Sequence, residues 1–73
     1  MIKEKRMLLN YTQSDMANLL GISIRQYQRI DTEEDIPRRD VLKNLIKILD
    51  LNNEEIGEYI RKIINNEKDI LTK

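Results

Sequence analysis

The stretch 13-QSDMANLLGISIRQYQRI-30 decides how this chain reads. Met16, Ala17, Leu19 and Leu20 recur at helical spacing and predict one short helix with these residues inward. Gly21 breaks it, since glycine takes the positive φ that a three-residue turn needs. Ser23 is placed to cap a second helix, in which Ile24, Tyr27 and Ile30 recur at intervals of three. Arg25, Gln26, Gln28 and Arg29 then occupy its remaining faces. A helix, a tight turn and a second helix rich in Arg and Gln is a common way of presenting side chains to DNA base edges.

Outward from this stretch the pattern stays helical. A first helix runs from about Ile2 to Leu9 and ends at Asn10, a residue that tolerates the left-handed conformation. Thr12 is the expected N-cap of the second helix, with Asp15 completing a variant of the capping box. Pro37 forbids a helix through Ile36 and stands just before a fourth helix bearing Val41, Leu42, Leu45, Ile46, Ile48 and Leu49. Asn52 or Asn53 caps the fifth, where Glu54 and Glu55 suit the positive N-terminal end. The predicted fold class is all-α: a small five-helix bundle, one domain over residues 1–73, with its last helix at about 53–72.

With 73 residues the chain is near the lower limit for a core without staples. It holds no Cys and no His, which excludes disulfides, thiolate chemistry and the usual zinc-finger ligand sets. It has no glycine-rich phosphate loop and no enclosed carboxylate pair, so no enzyme, no cofactor and no metal are expected. Neither a signal-peptide core nor a membrane span is present, and a cytoplasmic setting is expected. Net charge is zero, yet it is unevenly spread. Residues 1–30 and 36–49 each balance at +3, while 31–35 carry −4 and residues from Asp50 onward −2. Positive charge thus collects around the two-helix stretch and the fourth helix, as contact with phosphate requires.

With these residues in place, the chain resembles the lambda-repressor and Cro-like helix-turn-helix family, also called the xenobiotic-response-element type, over roughly Ile2 to Ile56. Gln13, Ala17, Gly21, Ile22, Ser23 and Ile30 match its spacing, as does Arg6, seven residues before Gln13. Asp31 stands where the family usually has glutamate, Pro37 follows six residues later, and Leu49 twelve after that. The physics agrees: Ala17 must be small for close helix packing, and Ile22 and Ile30 anchor the turn and the second helix. Arg6 and Asp31 are expected to pair, fastening the first helix to the end of the third.

Chemistry and family position then give candidate contacts. Arg25 and Arg29 suit guanine O6 and N7, Gln26 or Gln28 suits adenine N6 and N7, and Ile24 suits a thymine methyl. The resemblance puts Ile24, Arg25, Gln28 and Arg29 foremost and Gln26 behind them. For phosphate, Gln13 lies at the N-terminus of the second helix, where backbone N–H groups and its own amide can meet an anion. The resemblance implies that role for Gln13, and for Arg38 and Arg39 before the fourth helix. Ser23 and Lys43 complete the phosphate set.

Several residues depart from the pattern. Glu33 stands where the family usually has glycine, Lys5 where leucine is common, and Tyr27 where a smaller aliphatic residue is usual. Lys5 is expected to thin the core, and Tyr27 either to refill it or to present its hydroxyl to DNA. The acidic loop 31-DTEED-35 is expected to repel phosphate or to dock a protein partner. Tyr59, Ile60, Ile63, Ile64, Ile70 and Leu71 exceed what a short monomer covers and predict a homodimer through the last helix. The other outcome is that this helix folds back over the first and fourth. A twofold dimer would set two reading helices about 34–36 Å apart on a palindromic site. The implied function is a small phage-, plasmid- or mobile-element-type repressor that binds double-stranded DNA without a small-molecule effector. The competing reading is a protein-interaction module of the same fold, antirepressor or antitoxin-like.

Overall fold

Left-handed residues punctuate the chain. Asn10 (φ 62°), Gly21 (φ 68°), Glu33 (φ 59°) and Asp50 (φ 53°) each follow a helix and turn the chain towards the next. The computed structural model describes the backbone of residues 1–71 and the side chains of residues 1–65. Its helices are α1 (Ile2–Leu8), α2 (Gln13–Leu20), α3 (Ile24–Asp31), α4 (Arg39–Leu49) and α5 (Asn53–Leu71). Among the described residues the five-helix, all-α expectation holds, with α1 ending at Leu8 rather than Leu9 and the expected end of α5 near residue 72 lying outside them. Among the described residues, no helix is long and apolar enough to cross a membrane.

Reciprocal caps start three of these helices. The Thr12 hydroxyl accepts from the Asp15 N–H at 3.0 Å while the Asp15 carboxylate accepts from the Thr12 N–H at 2.9 Å. Ser23 and Gln26 repeat the arrangement at α3, and Asn52 and Glu55 at α5. Each closes otherwise orphaned N–H groups at a helix start. Asn52, of the two expected asparagines, is the cap of α5.

The core sits where α2 and α3 pack together, closed by α1 and α4. Met16, Ala17 and Leu20 line it from α2, Tyr27 and Ile30 from α3, and Val41, Leu45 and Leu49 from α4. Leu19 departs from expectation: it is half exposed rather than inward. At 100° per residue it lies about 100° from the centre of the Met16, Ala17 and Leu20 stripe.

α5 folds back over the bundle. Tyr59 and Ile63 are buried within the protomer, and the Tyr59 hydroxyl donates to the Asp35 carbonyl at 2.8 Å. Lys5, expected to thin the core, instead clamps α1 to α5 through an ion pair with Glu55 at 3.2 Å.

Glu33 explains its own departure from glycine. Its left-handed backbone costs about 1–2 kcal/mol, but its buried carboxylate accepts from the Met1 ammonium at 3.0 Å and the Ile2 N–H at 3.4 Å. Lys62 adds a second positive group at 3.6 Å. The side chain that glycine lacks ties α1, the loop and α5 together.

Candidate nucleic-acid interface

One face of α3 is locked into the protein and the other is free. Tyr27, Ile30 and Asp31 are buried, while Ile24, Arg25, Gln26, Gln28 and Arg29 are all exposed on the outer surface. Ile24 is a large apolar side chain left 49% exposed at the first turn.

Asp31 is the hub of the locked face. Its carboxylate accepts from Arg6 Nε at 2.9 Å, Arg6 Nη2 at 3.2 Å, Gln13 Nε2 at 3.1 Å and the Tyr27 hydroxyl at 3.0 Å. Burial alone would push this carboxyl up, but the hydrogen bonds from Arg6, Gln13 and Tyr27 hold it below the ordinary aspartate range. The Tyr27 phenol is pushed up, first by burial and then by the adjacent Asp31 charge. Tyr27 therefore spends its hydroxyl inward, so of its two expected roles it takes the one in the core and not the one towards DNA. The Arg6–Asp31 pair stands as expected.

The hub reaches the surface through two amides. Gln13, anchored on Asp31 by its nitrogen, accepts from Gln28 Nε2 at 3.3 Å through its oxygen. Gln28 keeps its own Oε1 and a second N–H, one acceptor and one donor, the pair adenine offers partners for. Gln26 is held differently: its amide oxygen accepts from the Ser23 N–H at 3.0 Å, which draws it back over the helix start. Ser23 spends its hydroxyl in the same cap, accepting from the Gln26 N–H at 3.1 Å.

Other cations are at the surface. Arg25, Arg38, Arg39 and Lys43 are exposed. Arg29 and Arg38 share an open groove of about 610 Å³ between α3 and the loop before α4, with Gln26, Asp35 and Ile36 on its walls. Arg38 lies 3.8 Å from Asp40, and Arg29 Nε lies 2.9 Å from Asp35, both pairs at the surface.

The acidic loop is less repulsive than its composition implies. Asp31 and Glu33 point inward, Asp35 is paired with Arg29, and Glu34 accepts from the Thr32 hydroxyl. Sequence reasoning missed the Asp35–Arg29 pair, the Gln13–Gln28 link and the inward turn of Glu33. None has a periodic signal: the six-residue step from Arg29 to Asp35 crosses a helix end.

The arrangement is a two-helix unit with its inner face bolted by a buried ion pair and its outer face presenting Arg and Gln. The helix-turn-helix family model matches residues 2–56 of the chain. The chain belongs to the helix-turn-helix family. Its family segment spans α1 to the first turn of α5, and the remainder of α5 lies beyond the match. The chain is also similar to the cryptic phage CTXphi transcriptional repressor RstR of Vibrio cholerae serotype O1. The two are 30% identical over 70 residues, covering 96% of this chain and 60% of that repressor. The chain thus spans about three fifths of that relative's length. No solved structure matches the chain at a significant level.

The predicted dimer residues are divided by the fold. Tyr59 and Ile63 serve the protomer core, Ile60 is half-buried, and Ile64 is exposed. Tyr59 and Ile63 are thereby removed from the surface a second copy would meet. Ile70 and Leu71 lie outside the residues whose side chains are described.

Proposed function

We propose that this protein is a sequence-specific DNA-binding transcriptional regulator, a small cytoplasmic repressor of the phage, plasmid or mobile-element type, which reads a palindromic operator through α3. The observation that carries the reading is the outer face of α3, where Ile24, Arg25, Gln28 and Arg29 stand exposed over an inner face fixed by Asp31. Similarity to a phage transcriptional repressor supports it.

In this reading Arg25 and Arg29 each present a planar fork to guanine, Gln28 offers its remaining donor and acceptor to adenine, and Ile24 packs on a thymine methyl. Gln13 and Ser23 sit at the starts of α2 and α3, where the first backbone N–H groups meet phosphate. Arg38, Arg39 and Lys43 hold the backbone from the far side of the groove. A homodimer joins through Ile60 and Ile64 on the outer side of α5, and places the two α3 helices in successive major grooves.

A second reading draws on other exposed apolar side chains. Leu8, Leu9 and Leu19 are 78%, 45% and 51% exposed and suit a protein-interaction module of the same fold, antirepressor or antitoxin-like. Backbone amide chemical shifts on addition of duplex DNA separate the two. Changes concentrated on α3 and the start of α2 support DNA reading; an unperturbed α3 overturns it.

A further inference from the structure

We propose that Asp35 is a positioning residue for base readout, which orients the Arg29 guanidinium and exchanges backbone affinity for sequence discrimination. The inference rests on the assignment of α3 as the DNA-reading helix and deepens it.

Asp35 Oδ2 lies 2.9 Å from Arg29 Nε, and both side chains are more than half exposed. The contact engages the one guanidinium nitrogen on the inner edge of the group. Nη1 and Nη2 remain on the outer edge, the two donors that a guanine O6 and N7 accept together. A free arginine surrenders much rotamer freedom on docking to a base. One already held by a carboxylate surrenders less, and reaches fewer wrong acceptors.

Asp35 is itself held. Its carbonyl accepts from the Tyr59 hydroxyl at 2.8 Å, and Tyr59 is fully buried in the core. Pro37, two residues on, stiffens the same loop. The backbone that carries the Asp35 carboxylate is therefore tied to α5 rather than lying in a free loop.

The same negative charge opposes every nearby phosphate, whatever the sequence. A group that weakens all complexes while improving the correct one relative to the others raises specificity. This accounts for an acid beside a cation on a surface that otherwise suits an anion.

The experiment uses the full chain and duplexes carrying its selected site or single substitutions in it. Arg29→Ala first identifies the base pair whose preference depends on Arg29. At that position Asp35→Ala is expected to lower discrimination about fivefold or more, within the range of one bidentate contact, and to tighten binding to unrelated duplex. Asp35→Glu keeps the carboxylate that pairs with the Arg29 guanidinium and is expected to retain most of the discrimination. In the Arg29→Ala background, Asp35→Ala is expected to change discrimination no further. Uniform tightening on all duplexes with discrimination unchanged would overturn the proposal and leave Asp35 a repelling charge only. A wild-type protein with no base preference on any duplex would overturn both this inference and the DNA-reading assignment.

Discussion

Arg6 grips Asp31 with two nitrogens, Nε at 2.9 Å and Nη2 at 3.2 Å, and with Nη1 donates to the Tyr11 carbonyl at 2.8 Å. One side chain thus joins α1, the loop before α2 and the end of α3. Both partners are buried, so removing Arg6 leaves a carboxylate without its counter-charge. Arg6→Ala is expected to cost about 3 kcal/mol of stability, read as a lower urea midpoint. A loss below about 0.5 kcal/mol, the level of an exposed pair, would contradict the role given to it.

The pH dependence follows from the same hub. Asp31 has a folded-state pKa below its unfolded one, so its stabilisation is present above the ordinary aspartate range and fades as pH falls through the lowered folded value. Tyr27 and Tyr59, both raised mainly by burial, act at the other end: their contribution is intact below the ordinary phenol range and is lost above it. The Met1 ammonium, lowered by burial but raised on balance by Glu4 and Glu33, gives up its share above the ordinary α-amino range, so thermal melts are expected to hold a plateau from the aspartate range to that point. Asp31→Asn flattens part of the acid limb, the remainder being shared by Glu4, Asp15 and Glu55, whose carboxyls are also lowered. An acid limb identical to wild type in Asp31→Asn would refute the assignment.

Gly21 is required by backbone angle and not by crowding. A Cβ built there meets nothing within 4 Å, while φ is +68°. Gly21→Ala is expected to cost about 1–2 kcal/mol with the turn preserved. A cost above about 4 kcal/mol would show a steric role that the open surroundings do not supply.

Gln13 separates reading from folding. Asp31 keeps Arg6 and Tyr27 when Gln13 is cut back, so Gln13→Ala is expected to melt within a few degrees of wild type. Gln28 loses its orienting partner in this variant. Operator affinity is expected to fall about tenfold, with preference relaxed at the base pair that Gln28 reads. Unchanged affinity and preference would show that the Gln13–Gln28 bond has no part in DNA contact.

The two sides of α5 give opposite outcomes. Ile63→Glu places a charge in the core and is expected to unfold the domain. Ile64→Glu lies on the exposed side and is expected to leave the melting temperature nearly unchanged while shifting a dimer to monomer in sedimentation. A dimer persisting at micromolar concentration in Ile64→Glu would contradict the proposed interface.

Local chemistry carried most of the fold into view. Gly21, the Thr12–Asp15 box, Ser23 and Pro37 are read from neighbours a few residues apart, and each lies where its chemistry requires. The outward Arg25, Gln26, Gln28 and Arg29 were legible for the same reason, since helical spacing separates faces, whereas the same spacing groups Ile24 with the inward Tyr27 and Ile30. What stayed hidden depends on distant partners. Glu33 reads as a misplaced acid until the α1 N-terminus is found beside it, 32 residues away. Tyr59 and Ile63 read as surplus apolar residues until α5 is seen to fold back, because periodicity gives the apolar face of a helix but not what covers it.

The most direct measurement of the central claim is selection from a random duplex pool, followed by fluorescence anisotropy of the selected duplex across a salt series. An enriched palindrome is expected, its affinity falling steeply and log-linearly as salt rises, since several phosphates are neutralised and counterions released. Failure to enrich any sequence, with weak salt-insensitive binding, would contradict that claim and give the outer face of α3 another purpose.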